Sequence, residues 1–154
     1  TGYLHDPETT ARVFEHGWFH SGDIGRIDDD GILWFTDRSK DVIKTGGENV
    51  ASIEVEKAVY AADPAVGEAV VVGLPHERWS EAVTAVVLPA AGATVDPDAL
   101  TAAMGRSLDR YKLPKSIIVV DELPRTSTGK VQKNVLRERY ADHYGAGAEG
   151  AGTA

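Results

Sequence analysis

Asp37-Arg38-Ser39-Lys40-Asp41, followed by Val42-Ile43-Lys44-Thr45-Gly46-Gly47, is the stretch on which the organisation of this chain turns. Its first five residues are polar or charged throughout, so they break the text between two apolar patterns, and a domain boundary is expected there. Upstream, Ile24 and Ile27 precede Asp28-Asp29-Asp30-Gly31, which Ile32-Leu33-Trp34-Phe35 follows. Two short apolar segments around an Asp-Gly turn predict a β-hairpin over 23–37. Residues 1–20 are turn-rich and aromatic, with a short helix start at Pro7-Glu8-Thr9-Thr10, where proline comes early and an acid follows.

Downstream of Gly46-Gly47, Ser52 is placed to cap a helix carrying Ile53, Ala58, Val59 and Ala62, with Asp63-Pro64 as its stop. The Val-rich runs 69–74 and 82–88, bounded by Pro and Gly, read as buried strands. Asp96-Pro97 opens a helix running to about Leu108, 116–120 reads as a third strand, and 131–144 as a last amphipathic helix. Strands and helices are mixed without strict alternation, which predicts a compact α+β fold in two layers over 40–144. Residues 1–39 then form the edge of a neighbouring domain. Residues 145–154, almost entirely Gly and Ala, offer no apolar stripe to dock and are expected to be a disordered tail.

The chain has 154 residues, 42% of them hydrophobic and 26% charged, enough for one domain with a real core. Sixteen Lys and Arg against 24 Asp and Glu give a net charge of −8, which disfavours general binding to nucleic acid or anionic membrane. Any anionic ligand must therefore meet a local basic cluster. Zero cysteines exclude disulfides, thiolate zinc sites and cysteine nucleophiles, and agree with a reducing cytoplasm. No apolar run is long enough for a membrane span. The chain opens on Thr1 in mid-pattern, and a piece of something longer is expected.

Nine of the sixteen basic residues fall in three loops: Arg38, Lys40 and Lys44; Arg110, Lys112 and Lys115; Arg125, Lys130 and Lys133. The last of these contains Pro124-Arg125-Thr126-Ser127-Thr128-Gly129-Lys130, hydroxyls, a glycine and a lysine ahead of a helix. Such a loop suits phosphate or carboxylate oxygens. It equally suits a plain helix cap at Ser127 or Thr128, and the local pattern leaves both open. It lacks the glycine and the Ser or Thr after lysine that a nucleoside-triphosphatase P-loop requires, so that class is rejected.

Trp18-Phe19-His20-Ser21-Gly22-Asp23, the run from Asp37 to Val50 with Glu54-Val55-Glu56, and Leu123 to Lys130 together resemble the adenylate-forming superfamily of acyl-CoA synthetases, peptide-synthetase adenylation domains and luciferases. The resemblance implies a C-terminal lid with the last piece of a large N-terminal domain, and a two-step reaction. A carboxylate attacks the ATP α-phosphate to give an acyl-adenylate, then the lid rotates and a CoA thiol displaces AMP. By the same resemblance Asp23 and Arg38 contact the ribose, Lys40 is the hinge, and Lys130 is the catalytic lysine that stabilises charge on the α-phosphate. Lys44 and Gly47 belong to the face presented after rotation, while Trp79, Tyr111, Lys112 and Lys115 are where CoA-using members hold the adenine and phosphates. At Lys133 many members carry Arg, and no catalytic role is assigned to it.

The implied cofactors are ATP, CoA and Mg²⁺, the metal's ligands lying upstream and none in this chain. The implied partners are a small fatty or aryl carboxylic acid and an N-terminal domain. On this reading the chain alone is expected to be inactive. An adenylation domain loading a carrier protein, and a lid-like interaction module without catalysis, are the two rivals.

Overall fold

The computed structural model describes residues 2–145 of the protein. The chain divides after Lys40 into two compact units. In the first, helix α1 (Pro7–Val13) begins as its sequence dictates: Pro7 sits in the first turn and the Asp6 carboxylate accepts the Thr9 N–H at 2.9 Å. Strands β1 (Asp23–Ile27) and β2 (Leu33–Arg38) then pair antiparallel, with a bulge between Ile24 and Gly25. Their turn is organised by Asp28, whose carboxylate accepts the N–H groups of Asp30 and Ile32 at 3.1 and 2.9 Å and the indole N–H of Trp34. Those bonds, the Trp34 one foremost, hold the Asp28 pKa below the usual carboxylate value.

The second unit is a five-stranded mixed sheet with helices on both faces. Its spine is the hairpin of β5 (Val66–His76) and β6 (Ser80–Pro89), in register from Glu68↔Leu88 to His76↔Ser80. The other edge of β6 is shared end to end. At the hairpin tip it meets β3 (Ile43–Thr45), which pairs in turn with β4 (Glu48–Val50); further along it meets the parallel strand β7 (Ser116–Val119).

Val70, Val71, Val72 and Leu74 are all buried, as are Val83, Ala85, Val86 and Val87 opposite. Side chains alternate faces along a strand, so continuous apolar runs bury both faces and both need cover. Helices α2 (Ser52–Ala62) and α3 (Pro97–Met104) cover one, closing a core of Val55, Val59, Val71, Ala85, Leu100 and Met104. Helix α4 (Lys133–Arg139) covers the other, placing Leu136 against Val70, Val72, Leu74 and Val86. The α+β class is as expected, with a third, one-helix layer added to the two.

Three local expectations change. Ser52 is the first helical residue, not the cap; Ala51 holds the cap position and makes no side-chain capping bond, while the Ser52 hydroxyl accepts from the Lys133 ammonium at 2.7 Å. Helix α3 stops at Met104, ahead of Gly105, where the chain continues in turns. Helix α4 is far shorter than 131–144: at its start Val131 bridges Arg125 and the Gln132 N–H donates to the Pro124 carbonyl at 2.8 Å, which draws these two residues into a hairpin, and at its end the chain passes into turns from Tyr140. The tail expected over 145–154 lies outside the described residues beyond Gly145.

Candidate functional site

In the first unit Asp23 and Arg38 stand directly opposite each other across the β1–β2 pair. The Arg38 Nε lies 3.4 Å from the Asp23 carboxylate, and both side chains are substantially exposed. A guanidinium beside a carboxylate at a hairpin mouth offers donors and acceptors together, which suits vicinal hydroxyls. Next along the chain the Ser39 N–H donates to the Gly22 carbonyl at 2.8 Å, within this unit. Two residues later Asp41, nearly buried, accepts from Arg137 of α4 at 2.8 Å, within the other unit. Lys40 thus lies between a residue bonded within one unit and a residue bonded within the other.

The second unit carries two basic loops at opposite ends of the β5–β6 hairpin. At the strand-end side, Arg125, Thr126 and Lys130 close a small hairpin: Thr126 N–H donates to the Lys130 carbonyl at 2.8 Å, Gly129 N–H to the Thr126 carbonyl at 2.9 Å, and Lys130 N–H to the Thr126 hydroxyl at 3.2 Å. Gly129 adopts φ +86°, a left-handed conformation that glycine takes at little cost. Arg125 braces the loop, donating through one nitrogen to the Gly129 carbonyl at 2.9 Å and through the other to the Glu68 carboxylate near the start of β5. Lys130 projects from this loop exposed, its ammonium in no ion pair among the described residues. The helix-cap alternative falls on geometry. The cap residue of α4 is Gln132, and neither Ser127 nor Thr128 bonds to that helix start.

At the tip end, the two-residue Gly46-Gly47 turn joins β3 to β4 with φ +60° and +89°. The Gly46 N–H donates to the Trp79 carbonyl at 3.0 Å, so the turn lies against the tip. Lys44, on β3, is exposed. The Trp79 ring stacks on His76 at 4.2 Å between centroids, and the Lys115 ammonium lies 5.0 Å from its centre, with the Arg78 guanidinium at 5.8 Å. Burial first, and the charge of Arg110 second, hold the Lys115 pKa below that of an ordinary lysine. Trp79, with His76 stacked on it and Lys115 and Arg78 beside it, is therefore an aromatic face with a cationic rim, and the Gly46-Gly47 turn is bonded to the main chain of the same tip.

Tyr111 and Lys112 stand apart from this group in their bonding. Lys112 is committed to Glu54 of α2 at 2.7 Å and to Asp109 at 3.3 Å, and lies 5.6 Å from the Tyr111 ring centre. The Glu54 hydrogen bond, reinforced by Asp109, raises its pKa above the usual lysine value. Lys133 is likewise occupied, 2.9 Å from Glu56, whose carboxylate also accepts the Val71 N–H at 2.9 Å. That arrangement explains a lysine without a catalytic assignment: it ties α4 to α2. Arg125 was expected in the basic cluster of its loop, though not as its brace, whereas His76, Arg78 and Glu81 stood out in the sequence by no signal.

From Glu68, which receives Arg125, to His76, beneath Trp79, is eight residues of extended strand, roughly 25 Å at about 3.3 Å per residue. One reacting phosphate cannot touch both basic loops at once.

The profile of the AMP-binding enzyme C-terminal domain matches residues 54–130. The chain is 45% identical over 139 residues to the long-chain-fatty-acid–CoA ligase FadD13 of Mycobacterium tuberculosis, covering 90% of this chain and 27% of that protein. It is equally 45% identical to the feruloyl-CoA synthase of an Amycolatopsis species, covering 90% of this chain and 28% of the other. Among solved structures, ATP-bound MatB from Rhodopseudomonas palustris superimposes with a TM-score of 0.84 at 43% identity, over 94% of this chain and 29% of that one. The chain thus spans between a quarter and a third of the proteins it matches. The small mixed-sheet fold, its two basic loops and the match over 54–130 agree, and the chain belongs to the family of AMP-binding enzyme C-terminal domains.

Proposed function

We propose that this chain is the C-terminal part of an AMP-forming acid–thiol ligase that converts a fatty or aryl carboxylic acid, ATP and CoA into the acyl-CoA thioester, AMP and pyrophosphate. In the first step a carboxylate oxygen attacks the α-phosphorus, and the bond to the pyrophosphate oxygen breaks. In the second the CoA sulfur attacks the acyl carbonyl, the carbon–oxygen bond to AMP breaks, and the thiol proton is lost to solvent. The single observation that carries the reading is the pair of basic loops at opposite ends of one hairpin. A rigid body with a catalytic lysine at one end and a glycine turn beside an aromatic platform at the other serves two steps by presenting its ends in turn.

In this scheme Lys130 neutralises charge on the α-phosphate during adenylation, Asp23 and Arg38 hold the ribose, and Lys40 is the hinge. Lys44 and Gly47 line the thiol's approach, Trp79 and Lys115 hold the nucleotide end of CoA, and Tyr111 and Lys112 flank it with Lys112 acting through its ion pairs. The likeness to a long-chain-fatty-acid–CoA ligase and to a feruloyl-CoA synthase supports an acid of the fatty or aryl class and CoA as acceptor. Mg²⁺ accompanies ATP in this reading, with ligands outside this chain. Among the described residues no helix is long and apolar enough to cross a membrane, and a cytoplasmic setting is part of the proposal.

The test is Lys130→Ala in the complete ligase that carries this chain. ATP–pyrophosphate exchange should fall about 10²–10³-fold, the usual loss when a transition-state cation or donor is removed. Thioester formation from preformed acyl-adenylate and CoA should stay within twofold of wild type. Unchanged exchange would sink the assignment.

A further inference from the structure

The turn that carries Gly47 is fastened to the sheet by a side chain. In the β3–β4 hairpin Thr45 pairs with Glu48, Lys44 with Asn49 and Ile43 with Val50, and the alternation of an antiparallel ladder turns the Lys44 N–H away from β4, towards β6. Its acceptor is the Glu81 carboxylate of β6, at 2.6 Å. Near this point β3 and β6 are in register only at Thr45↔Ser80, and Ser80 sits at φ +67°, outside regular strand geometry. The Gly46 N–H to Trp79 carbonyl bond also ties the turn to the tip. Glu81 thus stands in for a ladder acceptor. Being anionic, it makes the shorter and stronger kind of bond.

A second feature keeps that carboxylate in place. Gly73 on β5 is buried, and a Cβ built there would lie 2.9 Å from Glu81 Cδ and Oε2 and 2.9 Å from Ile43 Cγ2. The missing side chain is the space the Glu81 carboxylate occupies. Gly73 is not in the left-handed region, so backbone conformation gives no reason for a glycine there, and the close approach of Glu81 and Ile43 does.

We propose that Glu81 is a positioning residue for the thioester-forming step: its carboxylate fixes the Lys44–Gly47 turn against the Trp79 tip, and Gly73 makes room for it. The inference rests on the reading that this turn serves the thiol half-reaction. It adds a residue that contacts neither substrate and acts only through the Lys44 backbone. Glu81 lies at the opposite end of the hairpin from the Arg125–Glu68 brace, so the adenylation loop is not part of its reach.

The experiment uses the complete ligase with Glu81→Ala, Glu81→Gln, Gly73→Ala and, as a control on the reading itself, Gly47→Val. Hydrogen exchange at the Lys44 amide is measured by NMR. CoA-dependent release of thioester from preformed feruloyl- or dodecanoyl-adenylate and ATP–pyrophosphate exchange are measured beside it. Glu81→Ala and Gly73→Ala should speed exchange at Lys44, and should lower transfer kcat/KM for CoA by roughly ten- to hundredfold, the range for a lost charged hydrogen bond and a displaced turn. Pyrophosphate exchange should stay unchanged. Glu81→Gln, whose amide oxygen still accepts, should recover most of the loss.

If Glu81→Ala leaves transfer within twofold while Gly47→Val abolishes it, the proposal is overturned and the reading of the turn stands. If Gly47→Val also leaves transfer intact, both fall. Equal losses in the two half-reactions would make Glu81 an ordinary fold contact and overturn the proposal.

Discussion

Arg125→Ala isolates the question of whether Lys130 works because of where its loop holds it. The guanidinium contributes two bonds, one to the Gly129 carbonyl at 2.9 Å and one to the Glu68 carboxylate, and both ends of the ion pair are more than a third exposed. A half-exposed pair is worth about 0.5–1 kcal/mol and a charged hydrogen bond at the surface about 1.5 kcal/mol. Their sum, about 2 kcal/mol, corresponds to a factor of roughly 30 in the population of the braced loop. The three backbone and hydroxyl bonds between Thr126, Gly129 and Lys130 remain, so the loop loosens without dissolving.

Pyrophosphate exchange is therefore expected to fall by up to about 30-fold, less than for Lys130→Ala, with transfer from acyl-adenylate unchanged. Arg125→Lys keeps the charge but loses the fork, and should fall between wild type and Arg125→Ala. The assays are exchange of labelled pyrophosphate, a single-turnover transfer measurement, and thermal unfolding to show that the fold survives. Normal exchange in a variant whose melting point has dropped would refute the reasoning, because the brace would then contribute stability and nothing to catalysis.

Two further outcomes are expected. Lys40→Pro fixes φ between the Ser39 and Asp41 anchors and restricts Ser39 as well, so it should impair transfer more than pyrophosphate exchange; equal losses in the two assays would remove Lys40 from the hinge. Lys115→Met should raise the KM for CoA while making the protein slightly more stable at neutral pH. The folded state binds the Lys115 proton less tightly than the unfolded chain does, so in wild type this group's contribution to stability improves as pH climbs from the lowered folded pKa towards the ordinary lysine value. Denaturant titrations at a series of alkaline pH values should show that rise in wild type and its absence in the variant.

Much of this fold is local, and the chain's own text was enough for it. The β1–β2 hairpin follows from apolar segments around Asp28–Gly31, and β5 and β6 from short Val-rich runs bounded by Pro and Gly. The basic loops were visible as clusters, and the resemblance supplied their roles. What the sequence could not decide is which side chain meets which. The Glu81 carboxylate and the Lys44 N–H are 37 residues apart, Arg125 and Glu68 57, and Lys133 and Ser52 81.

Those meetings depend on strand register and on the placing of α4 across the sheet, quantities set by packing of the whole core. They also overrode local signals. Ser52 looked like a cap because of its type, and became a partner of Lys133; Val131 and Gln132 looked helical, and were drawn into pairing with Arg125 and Pro124. A propensity is worth a few tenths of a kcal/mol to about one, and tertiary contacts at the same residues outweigh it. The residue types present at the site are therefore sequence properties, whereas the placing of its two basic loops at opposite ends of one hairpin is a property of the folded sheet alone.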